Sequence, residues 1–302
     1  DDIVFSGGIA YMGGWFSSFA GQERYRIAAV EVATGNLTSW TAHAEAAVIS
    51  LAVDGSNLYA GGNFNSIGGV LRNRIAALNA TTGEATDWNP TNDGLIYALA
   101  VSGGKVFVGG SFDNIGSKPR SRLAALDVTT GLATLWNPSA GGSVRCLSLD
   151  NGILYAGGNF TTISGQSRNR LAAYDIADMS LTGWDPNASN AVFAIANSGG
   201  QVYVGGVFTS VGGQSRNRLA ALDVSDGLAN SFDPNANDFV YSIAVDGSTV
   251  YAGGDFTNIG GQSRNYIAAL NSSDGTATAW NPGTNGLVET IALSETQVYA
   301  GG

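Results

Sequence analysis

The chain is 302 residues long, with 43 glycines, six prolines, 13% charged residues and a formal net charge of −10. That much glycine argues against a helical body and for many tight turns, and an acidic surface disfavours nucleic acid and anionic membranes, whose phosphates require clustered Lys and Arg. A single cysteine, Cys146, excludes a disulfide framework and a thiolate metal cluster.

The first element that can be read is a period. Trp40, Trp88, Trp136, Trp184 and Trp280 are spaced by multiples of 48 residues, and Phe232 fills the one missing place. A Tyr/Phe-x-Gly-Gly mark keeps the same period at Tyr11, Tyr59, Phe107, Tyr155, Tyr203, Tyr251 and Tyr299. In the third copy, residues 95–101 form an apolar run of strand length, 102–104 a hairpin turn, and 105–108 a returning strand. The Gly109-Gly110 pair that follows predicts a bulge or a close backbone approach. A loop over 111–121 leads to a third strand over 122–127, turned by 129–131 into a fourth strand over 133–136 that stops at Asn137-Pro138.

These strands carry Val, Ile, Leu and Ala with little polar alternation, the pattern of sheets covered on both faces. Four-stranded units of this length that cannot bury their own faces predict an all-β fold, a β-propeller of 48-residue blades, as one domain over residues 1–302. Six periods occupy 288 residues, and residues 289–302 fall in register with 1–14. The expectation is seven blades with an incomplete last one; the alternative is six. The missing strands would come from sequence outside this chain or from a neighbour, because an uncovered edge invites pairing. The absence of an initiator Met and of a leader pattern suggests a piece excised from a larger protein.

The docking aromatics Trp40, Trp88, Trp136, Trp184, Phe232 and Trp280 are read as blade-to-blade anchors. Each aromatic of this size buries roughly 150–250 Å², about 4–6 kcal/mol as an upper bound. Asn79, Asp127, Asp223 and Asn271 precede Gly-containing turns, Asp175 holds the same position before Ile-Ala-Asp-Met, and all five are read as acceptors of turn amides.

The unit Val-Tyr-x-Gly-Gly-x-Phe through Arg-Asn-Arg-Leu-Ala-Ala-Leu-Asp to Trp-Asn-Pro resembles bacterial delta-sixty-type β-propeller repeats of large secreted or surface proteins. It is also similar to fungal cortical-marker propellers. Residues 124–136 resemble the tryptophan-docking motif of quinoprotein propellers, with one more residue between Gly and Trp. The resemblance covers essentially the whole chain and implies a propeller and an extracellular or cell-surface setting, with little about activity.

Eleven of the 14 basic residues sit at two repeat positions, represented by Arg168 and Arg170, which leaves Lys105, Lys118 and Arg145 outside the pattern. The paired arginines are expected to alternate along one strand and to serve as ion pairs, carbonyl clamps or cation–π partners. His43 is the sole histidine and lies at the one junction that abandons Asn-Pro; a multi-histidine metal site is impossible with it alone. Trp15 is the one Trp outside the docking position, and its counterparts after Gly-Gly include Asn63, Asn159 and Asp255. Trp15, His43, Asn63, Asn159 and Asp255 are therefore the candidate ligand-binding residues. No catalytic residues and no cofactor are assigned, and calcium would rest only on isolated Asp, Asn and carbonyl groups. The expectation is a non-catalytic surface module for adhesion, display or protein–protein contact, its partners being other protein domains or surface glycans, without nucleic acid and without membrane insertion. A lectin-like carbohydrate binder is the alternative, and a glycan-active or quinoprotein-like enzyme is the second.

Overall fold

The computed structural model describes residues 1–294 and 297–302, and its regular elements are all β-strands. The chain divides into two compact units, Asp1–Ser139 and Ala140–Gly302. The first holds three repeats; the second holds three more and a closing hairpin, Thr290–Ser294 with Gln297–Gly301.

Each complete repeat is an antiparallel meander. In the third, the inner strand Ile96–Ser102 pairs with Lys105–Gly110, which pairs in turn with Leu123–Asp127. The predicted fourth strand is not a strand in most repeats. It contributes one bridge, such as Leu126 with Ala133, and lengthens to two residues only at Ser180–Leu181. The outermost segment holds the Trp and then leaves for the next repeat, so nothing stands outside it to extend a ladder. The loop read over 111–121 contains a further two-residue hairpin, Asn114–Ile115 with Lys118–Pro119, and every complete repeat has its equivalent.

The predicted bulge falls on the strand opposite the glycine pair. Ile96 faces Gly110 and Ala98 faces Gly109, so Tyr97 is the extra residue. A Cβ on Gly110 would run into the Leu95 carbonyl, and one on Gly61 into Ile96 of the following repeat. The first glycine of the pair thus lets the next inner strand approach, and the second makes room for the bulge.

The core lies between successive repeats. One cluster in the first unit joins Tyr11, Ile27 and Trp40 to Val48, Leu51, Leu58 and Ile67 of the next repeat. The following cluster joins Tyr59, Ile75 and Trp88 to Ile96, Val106 and Phe112. In the second unit, Tyr155 and Trp184 meet Val192, Val202 and Phe208, and Tyr203 and Phe232 meet Val240, Val250 and Phe256. Adjacent residues of one strand therefore face different neighbours, as Leu58 and Tyr59 do, which explains the lack of polar alternation.

Each docking aromatic stands edge-on to the Tyr or Phe of its own repeat, with centroids 5.1 Å apart for Tyr59 and Trp88 and 5.2 Å for Tyr155 and Trp184. In Trp40, Trp88 and Trp184 the indole N–H crosses to the next repeat: Trp88 donates to the Asp127 carbonyl and Trp184 to that of Asp223, both at 3.0 Å, and Trp40 to that of Asn79 at 3.3 Å. The turn glycine after that carbonyl, Gly131 or Gly227, adopts a left-handed φ of +72° or +76° and presses on the Asn-Pro or Asp-Pro segment of the previous repeat. A side chain there would be strained twice, by conformation and by contact.

A second cross-repeat tie occupies the inner strands. Ser50 accepts the Leu99 amide at 3.0 Å, Ser242 that of Ile291 at 2.8 Å, and Asp2 that of Leu51 at 2.7 Å. Cys146 holds the same repeat position, buried, with Sγ 3.9 Å from the Val192 carbonyl.

Candidate functional site

The repeated polar residues serve the frame. Arg24, Arg72, Arg120, Arg168, Arg216 and Arg264 each clamp two carbonyls, that of the preceding residue and that of the residue 14 further on, for example Pro119 at 2.7 Å and Thr134 at 2.6 Å for Arg120. The second arginine does not alternate with it along a strand, contrary to expectation. Arg26, Arg74, Arg122, Arg170 and Arg218 take left-handed φ between +63° and +68°, immediately before the third strand begins. Their amides donate to the Phe carbonyl ten residues earlier, as Arg74 does to Phe64 at 2.7 Å, and this pins a conformation bulky residues avoid. Tyr266 takes the place in the sixth repeat with φ +66°, so the backbone, not the guanidinium, is the common requirement.

The turn carboxylates are equally local. Asp127 accepts the Thr129 and Thr130 amides at 3.0 and 2.8 Å, and the Thr130 amide and hydroxyl hold its carboxyl below the usual range. The Ser225 hydroxyl and amide do the same for Asp223. Burial pushes the Cys146 thiol upward, out of the range of a reactive thiolate.

The five sequence-predicted site residues do not converge. Asn63, Asn159 and Asp255 lie in separate repeats, where their backbone N–H groups donate to the carbonyls of Ala47, Ser143 and Phe239. Trp15 is 71% exposed and is covered on one face by the Arg26 guanidinium, 5.1 Å from the ring centroid. His43 accepts the Tyr25 amide at Nδ1 over 3.3 Å and packs edge-on to that ring, beside a recess of about 470 Å³ lined by Thr41, Ser66, Leu71 and Glu84. Among the described residues, no group of three or more His, Cys, Asp or Glu side chains is placed to hold a metal ion.

A different set does come together. The bulged residue of the inner strand is Ile49, Tyr97, Arg145, Phe193 and Tyr241 in successive repeats, and Glu289 stands at the same period beyond them. In the second unit the inner strands Val144–Asp150, Val192–Ser198 and Val240–Asp246 pack in succession, so these side chains form a row. The Arg145 guanidinium lies 6.0 Å from the Phe193 centroid, and Phe193 stacks on Tyr241 at 5.8 Å with 27° between planes. Phe239, 38% exposed, meets Tyr241 edge-on at 6.2 Å. Burial raises the Tyr241 hydroxyl above its ordinary value, and the charges of Asp255, Asp238 and Glu289 raise it further. Asp255 is the one sequence-predicted residue that belongs to this group. The signal for the rest was present: the bulge position changes chemistry in every copy, while Val or Ile stands just before it in each.

A family model described as "Domain of unknown function (DUF5122) beta-propeller" matches residues 104–127, 200–227 and 246–277. Each matched segment takes in the second strand and the third strand of its repeat. The fold is similar to the crystal structure of the computationally designed Ika8 protein, with a TM-score of 0.61 and 14% identity over 99% of this chain and 91% of that one. The designed Ika4 protein is matched over 60% of this chain and 93% of its own, at a TM-score of 0.43 and 16% identity, too distant to support an argument. No curated protein matches the sequence. The chain is thus an all-β protein built of propeller-like repeats, similar to β-propellers of unknown function.

Proposed function

We propose that the chain is a non-catalytic binding module, a β-propeller of an extracellular or cell-surface protein that contacts other proteins through the bulged ends of its inner strands. The observation that carries this reading is the contrast within each repeat. The clamp arginines, turn carboxylates and docking aromatics are consumed by local bonds, whereas the bulge residues form the aromatic row from Arg145 to Tyr241 and leave Phe239 exposed at its end. A scaffold that varies one half-buried or exposed position on a constant frame suits recognition. The delta-sixty-type relationship belongs to the same proposal, as does the count of seven blades. That count rests on the closing hairpin, whose Thr290↔Gly301 to Ser294↔Gln297 register repeats that of Asp2–Ser6 with Ile9–Gly13.

The test is a binding screen of the intact chain against peptide and glycan arrays, with Phe193→Ala and Tyr241→Ala beside Leu135→Ala, which alters a leucine exposed elsewhere. Retained peptide ligands lost only in the first two variants are expected. Binding confined to glycans and centred on Phe193, Tyr241 and Phe239 would favour the lectin-like alternative, which a row of half-buried rings ending in the exposed Phe239 also suits. Turnover of a ligand by the purified chain would overturn the non-catalytic reading.

A further inference from the structure

We propose that the corner formed by Phe193, Tyr241 and Phe239 captures the guanidinium or ammonium group of an Arg or Lys side chain on a partner polypeptide. This rests on the reading of the bulge row as a binding surface and names the chemistry it selects.

Three observations carry it. The first is shape: Phe193 and Tyr241 stack at 5.8 Å, and Phe239 meets Tyr241 at 75° and 6.2 Å, so two ring directions bound one corner. Phe239, 38% exposed and nearly perpendicular to Tyr241, offers a cation a π face at the end of the row. The second is an internal precedent, since the chain's own Arg145 guanidinium lies 6.0 Å from the centroid of the same Phe193 ring. The row already holds one guanidinium at one end and repeats the aromatic surface at the other.

The third observation is charge. Asp238 and Asp255 lie close enough to Tyr241 to act on its hydroxyl, together with Glu289. Asp238 adjoins Phe239 in sequence and accepts its amide at 2.9 Å, while the amide of Asp255 donates to the Phe239 carbonyl at 2.9 Å, so both flank the corner. A neutral sugar would stack on the same rings, but carboxylates around aromatic faces favour a cation over a neutral group. The net charge of −10 steers a basic partner in the same direction.

The experiment is an NMR titration of the intact chain with N-acetyl-arginine amide, followed on the Phe and Tyr ring signals, with N-acetyl-citrulline amide as an uncharged isostere of near-equal shape. Saturable shifts of Phe193 and Tyr241 are expected with the arginine compound, at least tenfold weaker with citrulline, and weakened further as salt rises. Tyr241→Phe keeps the π face and retains binding, whereas Asp238→Asn and Asp255→Asn each weaken it several-fold. Those conservative variants decide the question even if Tyr241→Ala fails to fold. No saturable shift, or equal affinity for citrulline, overturns the proposal. Equal affinity for citrulline would leave the binding-module reading intact, because the row would still hold a planar ligand.

Discussion

Replacing Arg120 tests whether the repeated clamp holds the outer part of each repeat. Arg120 is 7% exposed, and its two terminal nitrogens donate to the carbonyls of Pro119 and Thr134 at 2.7 and 2.6 Å. Bonds from a charged donor contribute about 1.5–3 kcal/mol each. Against their sum stands the cost of holding a guanidinium out of water, several kcal/mol before pairing, and its Nε has no partner. The balance gives a loss of about 2–4 kcal/mol for Arg120→Ala. Arg120→Lys keeps the charge but reaches one carbonyl, for a loss of about 1–2 kcal/mol. Urea denaturation gives the global change. Hydrogen exchange at the Thr134 amide, bonded to the Ala125 carbonyl at 2.9 Å, reads the local one. A loss of 2–4 kcal/mol there is roughly a 30- to 900-fold faster exchange if opening is local. Arg120→Met is the discriminating variant, because it keeps bulk and removes the charge. If Arg120→Met were as stable as the wild type, desolvation would outweigh the two bonds and the clamp argument would fail.

Other outcomes follow from the same repeat logic. Arg168→Ala costs less than Arg120→Ala by the same measurement, because its bonds are longer, 3.0 and 3.2 Å. Trp184→Phe, which copies Phe232, forfeits the bond to the Asp223 carbonyl and costs about 1 kcal/mol, whereas Trp184→Ala costs about 3–5 kcal/mol, both read from urea midpoints. Cys146 resists a thiol reagent in buffer and reacts at once in denaturant, and Cys146→Ala, the residue at Ala98 and Ala194, shifts stability by less than about 1 kcal/mol. Asp127 and Asp223 have folded pKa values below their unfolded ones, so their stabilisation is present above about pH 4 and is lost as pH falls through the lower folded values. Asp127→Asn combined with Asp223→Asn, copying Asn79, flattens that part of the acid limb in urea midpoints measured from pH 7 to pH 2.

The frame was legible because it is written six times. The Trp and the Tyr/Phe-x-Gly-Gly mark located the inner strands within a residue, 95–101 expected against Ile96–Ser102 found. Repetition could not say how a ladder ends. A strand pattern over 133–136 looks the same whether it pairs along its length or, as here, bridges at Ala133 alone. It also could not reveal that Arg170 is left-handed, since a residue with a poor φ is selected by the bonds around it and not by its own propensity. The site was harder to read for a third reason. Trp15 stood out as the one Trp outside the docking position and His43 as the sole histidine, but a break in the repeat is not proximity in space. Arg145, Phe193 and Tyr241 are ordinary residues whose significance lies in sharing one phase of the repeat, and only the packing of successive inner strands turns a shared phase into a row.

That phase has a physical reason to be the variable one. A residue inside the ladder must fit its neighbours on both faces, because the sheets of successive repeats cover each other, and Val144, Val192 and Val240 are fully buried. The bulge residue after each of them is released from the register, so its side chain is not fixed by a cross-strand partner. Arg, Phe, Tyr and Glu can therefore alternate there without disturbing Gly157, Gly205 and Gly253, whose missing side chains let the next inner strand close in. A frame of this kind separates stability from recognition by one residue. Substitutions at Val192 are expected to cost core packing, and those at Phe193 to cost binding.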